Sequence, residues 1–229
     1  MAWLRYLGYF VLISLVTWGL TAIEIAYPGS LKLQVFRDAN DALGTSEYSP
    51  IELIQPLILI VCGALMAWIA AHFPLQRPLA LVFGGMAAIF IVREFDYFLD
   101  LWIVDNFWQV VMAVIAALVI AYGVRQRRRL QLALAQVWPS PGLVLFFAGA
   151  VILFSFVRLV GHEPLWQSIM APDYRRIVKL GIEEFIELVG YLFWLIGACE
   201  YALQVRGIAQ HEPETRAVRR RRHQLRRRR

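Results

Sequence analysis

The feature that most constrains this chain is a series of apolar runs, each near the length that lets one helix cross a bilayer. A transmembrane helix needs about 20 predominantly apolar residues. Six such stretches can be laid out, at 3–26, 51–71, 79–97, 106–124, 142–160 and 181–205. Between them stand Pro28 with Gly29, Pro50, Pro74 and Pro78, Pro139 and Pro141, and Pro164 with Pro172. Proline lacks the amide proton that a helix interior requires, so such clusters mark the breaks between helices. Composition agrees: 59% of the residues are hydrophobic and 17% charged, where soluble domains average about 45–50% and about 25%. The expected fold is all-α, a polytopic helical membrane bundle of six transmembrane spans over residues 1–206. A basic cytoplasmic tail without regular structure, 207–229, is expected to follow it. The first apolar stretch exceeds a signal-peptide core and lacks a small-x-small cleavage site, so it reads as an uncleaved span.

Charge distribution orients the spans. The net charge of +6 conceals an uneven placement. Ten arginines fall in the last 24 residues, while the rest of the chain carries 13 basic and 15 acidic residues. With six spans, one side holds Arg5, Arg77, Arg125, Arg127, Arg128, Arg129 and the tail arginines. The other holds Lys32, Arg37, Arg93, Arg158, Arg175, Arg176 and Lys179. Arginine and lysine accumulate on the cytoplasmic side, so both termini are expected there, in a plasma or bacterial inner membrane. A five-span variant, with 79–97 re-entrant, would put the 125–129 run and the tail on opposite faces. Small residues at helix-packing spacing are Ala113, Ala117 and Ala121, Gly84 and Ala88, and Gly190 and Gly197. No internal repeat is evident.

Two of the apolar runs are short. Residues 79–92 make about 21 Å of helix at 1.5 Å per residue, whereas the hydrocarbon core is about 30 Å thick. That helix must continue through Arg93, Glu94 and Asp96 to finish the crossing. The fifth run meets Arg158 in the same way, and the sixth carries Lys179, Glu183, Glu184 and Glu187 at its start. Glu183 and Glu187 share a helix face with Gly190, Trp194 and Gly197. Six-span topology brings these residues to one level at the outer end, together with Glu24 and Glu52. Ionisable groups at membrane depth pair with one another or line a polar cavity. Three positive charges (Arg93, Arg158, Lys179) face seven negative ones (Glu24, Glu52, Glu94, Asp96, Glu183, Glu184, Glu187). A salt-bridged cap would leave carboxylates over. Glu94, Glu183 and Glu187 are the expected ligands or proton carriers, with Arg93 and Arg158 positioning them by charge pairing. Glu24, Glu52, Asp96, Lys179, Glu184 and His162 form a secondary set.

Other chemistry is sparse. Cys62 and Cys199 sit in apolar runs without metal spacing. Of the four histidines, only His162 lies near the acids, which does not amount to a zinc site. No phosphate loop, nucleophile elbow or metal-protease motif occurs, so no catalytic residue, cofactor or metal is expected. Phe36, Tyr48, Trp166 and Tyr174 in the outer loops suit an interface belt or a roof over the cluster. The tail arginines Arg219, Arg220, Arg221, Arg222, Arg226, Arg227, Arg228 and Arg229 suit anionic lipid headgroups rather than nucleic acid. Three functions fit: binding or conduction of a cation, proton or small polar solute; a structural or assembly subunit, alone, as a homo-oligomer or within a membrane complex; and a membrane-embedded lipid hydrolase using His162.

Overall fold

A computed structural model of the protein describes residues 2–31, 35–37, 43–45, 49–104 and 106–227. It is built almost entirely of helices: α1 (Ala2–Ala26), α2 (Pro50–His72), α3 (Arg77–Glu94), α4 (Asp96–Trp102), α5 (Phe107–Arg125), α6 (Arg127–Val137), α7 (Pro141–Val151), α8 (Val157–Val160), α9 (Glu163–Met170) and α10 (Arg176–Arg227). A π-helical segment, Ile152–Phe156, joins α7 to α8 without a break, and one 3₁₀ turn, Ala171–Asp173, precedes α10. The loop after α1 contains a two-stranded antiparallel ribbon, β1 (Val35–Arg37) and β2 (Leu43–Thr45), with Phe36 opposite Gly44.

Five helices are long and apolar enough to cross a membrane: Trp3–Ala26, Pro50–His72, Phe107–Arg125, Pro141–Val160 and Arg176–Gln210. They coincide with five of the six expected spans. The sixth, 79–97, falls on α3 and the start of α4. Arg77, Arg93 and Glu94 lie within the 18 residues of α3, which is why it does not stand with the other five on composition.

α10 occupies the centre. It packs on α7, α2, the π segment, α8 and α1, and Leu188, Tyr191, Trp194, Ala198 and Tyr201 on it are buried. Glycine makes this possible. A Cβ on Gly142 would lie 2.7 Å from the Tyr201 amide nitrogen and 2.8 Å from the Gly197 carbonyl oxygen. One on Gly149 would lie 2.9 Å from the Gly190 carbonyl oxygen. The Gly190–Gly197 stripe is thus a helix–helix seam, the close backbone approach that small residues permit in membrane bundles. Gly84 lies against Met66 in the α2–α3 hairpin, whereas Ala113, Ala117 and Ala121 lie on an uncovered face of α5. At mid-height the core is aromatic. Phe83 stacks on Phe146 with ring centres 4.3 Å apart, and Trp194 meets the edges of Phe146 and Phe90 at 5.3 and 5.2 Å.

Below this layer lies a buried polar network. The Tyr201 hydroxyl donates to Gln76 Oε1 (2.8 Å), and Gln76 Nε2 donates to the Ala133 carbonyl (3.1 Å) and to Gln136 Oε1 (2.6 Å). Ser140 Oγ donates to Gln204 Oε1 (2.5 Å), whose Nε2 donates to the Val137 carbonyl (2.7 Å). These bonds pin the short amphipathic helix α6 to the start of α3 and the middle of α10. A buried polar group left without its partner costs about 1–3 kcal/mol, against about 0.5–1.5 kcal/mol for a hydrogen bond removed cleanly. Gln76→Leu, which strands the Tyr201 hydroxyl and removes the bonds to Ala133 and Gln136 as well, is therefore expected to destabilise the protein more than Tyr201→Phe does. Unfolding of the two variants in mixed detergent micelles checks this.

α1 stands at the edge, with none of its described residues buried. Ile13, Val16 and Leu20 touch the core. Its polar tie is at its start: Arg5 Nε lies 2.8 Å from Glu200 Oε1, and the Tyr9 hydroxyl donates to the same oxygen at 2.6 Å. At the other end of the chain, the backbone of α10 stays helical through Arg227, where the sequence leads one to expect an irregular tail. Arginine, glutamine, alanine and leucine all favour helix, so charge repulsion alone does not fix an irregular backbone there. Arg228 and Arg229, like Lys32 and Tyr48, lie outside the described residues.

Candidate functional site

The charged residues gather where α2 and α10 begin and α3 ends. α10 supplies Glu184, Glu187 and Tyr191, which follow one another at i, i+3 and i+7 and so share a face. α3 supplies Arg93 and Glu94 from its last turn. α2 supplies Gln55, one turn in from a capping box in which Ser49 Oγ accepts from the Glu52 amide (3.0 Å) and Glu52 Oε2 accepts from the Ser49 amide (3.1 Å).

Arg93 is the hub. Its guanidinium forms an ion pair with Glu187 and donates to the Tyr191 hydroxyl at 3.4 Å. Tyr191 in turn donates to Glu94 Oε1 at 2.5 Å, and the same oxygen lies 3.9 Å from Arg93 Nη1. The Glu187 and Glu94 side chains are 3% and 8% exposed, and that of Arg93 23%. Glu184 stands one turn further out on α10, within the fields of Glu187, Glu52 and Glu94. Among the described residues it has no cation of its own. Its partner is Gln55, whose Nε2 donates to Glu184 Oε2 (3.1 Å) and to the Glu184 carbonyl (3.3 Å). Gln55 is fully buried, and its Oε1 has no hydrogen-bond partner among the described residues. Exchanging the amide oxygen and nitrogen would turn Oε1 onto two acceptor oxygens, so the amide stands the right way round. What remains is a buried acceptor on the side chain that holds Glu184, a carboxyl group within the fields of three others.

The other expected residues are placed around this core or away from it. Lys179 pairs with Glu183 at 3.2 Å along one turn of α10, and Glu183 rests against Gly161, on the α8 side rather than with Glu94. Arg158 is exposed and acts on Glu187 only through its field, without an ion pair among the described residues. Glu24 is a turn-former: it accepts from the amides of Gly29 (2.7 Å) and Leu31 (2.8 Å) and from Ser30 Oγ (3.2 Å). Glu52 caps α2, and Asp96 opens α4. His162 is exposed at the start of α9, and no hydrogen bond from its ring occurs among the described residues. Trp166 donates to the Val160 carbonyl, which ties α9 back onto α8. The side chains of Phe36 and of 211–227, including Arg219 to Arg222, Arg226 and Arg227, lie outside the described residues. So does the expected lipid contact of the tail.

Gln55 and Tyr191 escape a search limited to charged residues. Gln55 is nonetheless the single polar side chain in the stretch 53–66 of α2, and Tyr191 follows Glu187 by four residues. Among the described residues no group of three or more His, Cys, Asp or Glu converges in a way that could hold a metal ion. No protein family matches the chain, and no curated protein or solved structure matches it either.

Proposed function

We propose that the chain is a six-span protein of the plasma or bacterial inner membrane, both termini cytoplasmic, that binds a small cation from the outer side. The ligand is a proton or a small amine-like ion held by Glu184 and Gln55 over the Arg93–Glu187 pair. The observation that carries this is the buried Gln55 Oε1, without a partner among the described residues, on the side chain that holds the cation-free Glu184. An acceptor in that position calls for a donor, and the charge balance calls for a positive one. Metal coordination is the weaker match, because no three ligating side chains converge among the described residues.

The sixth crossing is supported by α3. Gln76 at its start meets Tyr201 and Arg93 near its end meets Glu187. These two levels of α10 are 14 residues, about 21 Å, apart. Binding is favoured over conduction by the aromatic layer of Phe83, Phe90, Phe146 and Trp194 between the cluster and Glu200. Glu200 itself is engaged by Arg5 and Tyr9. The rival view, a charge-locked assembly subunit, draws on the chain Arg93–Glu187 and Tyr191–Glu94, which satisfies itself. Glu184 separates the two, since it takes no part in that chain.

The test is thermal unfolding of the full chain in nanodiscs, in methylammonium chloride against sodium chloride of equal concentration. A site that binds only the folded state adds about 2.7 kcal/mol at a hundred times its Kd. Wild type is expected to gain stability with methylammonium. Glu184→Gln and Gln55→Leu are expected to fold and lose that gain. Protons released into unbuffered solution on addition of the amine would identify a proton as the resident occupant. A response that is absent from wild type, or intact in Glu184→Gln, rules the reading out.

A further inference from the structure

We propose that the arginine run joining α5 to α6 is a docking surface for the phosphate headgroup of an anionic phospholipid. It lies at the end of α3 opposite Arg93 and is independent of the cation cluster. The backbone turns at Gln126 (φ −100°, ψ 16°), so that α5 ends on Arg125 and α6 begins on Arg127. Arg125, Arg127, Arg128 and Arg129 are all exposed and, with Gln126, enclose a concavity of about 260 Å³. Among the described residues none of these four arginines is in an ion pair. Four guanidinium groups held this close repel one another unless an anion lies among them.

Three observations select a phospholipid as that anion. The first is depth. α5 is one of the five helices able to cross a membrane, and Val114, Leu118, Ile120 and Val124 on it are exposed. An apolar wall of this kind belongs against acyl chains, and the arginines begin where it stops, at headgroup level. The second is the character of α6, which keeps Leu132 and Leu134 exposed beside its arginines, with Trp138 just beyond. Arginine with exposed leucine and tryptophan on a short amphipathic helix suits the bilayer interface. The third is rigidity. Gln76 holds α6 through the Ala133 carbonyl and Gln136, so the arginines sit on a fixed platform. Guanidinium groups grip phosphate oxygens with paired hydrogen bonds. The first turn of α6, which no side chain among the described residues caps, adds its helix-start field to the arginines.

The experiment uses the full chain purified in a neutral detergent. Retention of short-chain phosphatidylglycerol and of phosphatidylcholine is measured by native mass spectrometry. Each arginine near an anionic surface is worth roughly a fivefold change in partition. Replacing Arg125, Arg127, Arg128 and Arg129 together by Gln is expected to weaken phosphatidylglycerol retention by more than about twentyfold. Phosphatidylcholine retention should stay unchanged. A second variant, with Arg219 to Arg222 changed to Gln, is expected to keep the lipid. If the Gln quartet does not fold, the corresponding Lys quartet keeps the charge but loses the two-pronged grip. Its retention is then expected to fall, and retention equal to wild type overturns the proposal. Equal retention by the Gln quartet, loss in the tail variant, displacement by millimolar inorganic phosphate, or displacement by a DNA duplex would each overturn it as well.

Discussion

Arg93→Gln is expected to destabilise the protein more than any other single change at the charged end of the bundle. The guanidinium is the one cation in contact with Glu187 among the described residues, and that carboxylate is almost fully buried. Removing one partner of a buried pair strands the other and costs about 3–5 kcal/mol. The partial exposure of Arg93 places the expected loss at the lower end of that range. The double variant Arg93→Gln/Glu187→Gln should recover most of it, because two neutral amides can bond to each other where one amide and one carboxylate leave charge uncompensated. A double-mutant cycle in mixed micelles measures the coupling directly. If the single and double variants unfold alike, Glu187 does not depend on Arg93, and the hub assigned to this guanidinium is misplaced.

The second large effect is steric. Gly142→Ala is expected to loosen the α7–α10 seam, since the new methyl would overlap backbone atoms of Tyr201 and Gly197 that no rotamer change can move. Overpacking of this kind costs about 1–3 kcal/mol, sometimes more. It outweighs the gain of about 1 kcal/mol that Gly→Ala normally brings to a helix. Gly63 is the matched control: a Cβ there has nothing within 4 Å, so Gly63→Ala should be neutral or slightly stabilising. Thermal midpoints of the two variants side by side, in one detergent, decide the matter. Equal midpoints would mean that the helices separate to admit the methyl at little cost.

How far these features could be read from the chain depends on what kind of signal each leaves. The long helices leave a strong one, because length and apolarity are local properties. Five of the six stretches are recovered within a few residues, from Trp3–Ala26 to Arg176–Gln210. The level of the cluster is legible too. The expected alternation of helices puts the end of α3 at the level of the start of α10, and Arg93 does meet Glu187 there. Which carboxyl meets which partner is not legible. Glu183 and Glu187 share a helical face, yet the first lies against Gly161 after α8 and pairs with Lys179, while the second reaches Arg93 in the last turn of α3. Glu24 and Glu52 look like members of a charge cluster, but each is spent on local backbone amides. Gln55 is neutral and therefore silent in any count of charges, although it is the residue that holds Glu184. α6 is also hidden: eleven residues of mixed polarity between two spans read as a loop until Gln76 and Gln136 are seen to meet.

The central place of α10 bears on the order in which the molecule can be put together. A ribosome delivers α1 first and α10 last. Arg5 and Tyr9 therefore spend nearly the whole of synthesis without Glu200, the residue that ties α1 to the rest. In the same interval Arg93 awaits Glu187, and Gly142 and Gly149 face no neighbour. The nascent chain consequently passes through a stage in which several long apolar helices have been made but have nothing to close around. A stop codon anywhere before α10 removes the common neighbour of α1, α2 and α7 at once.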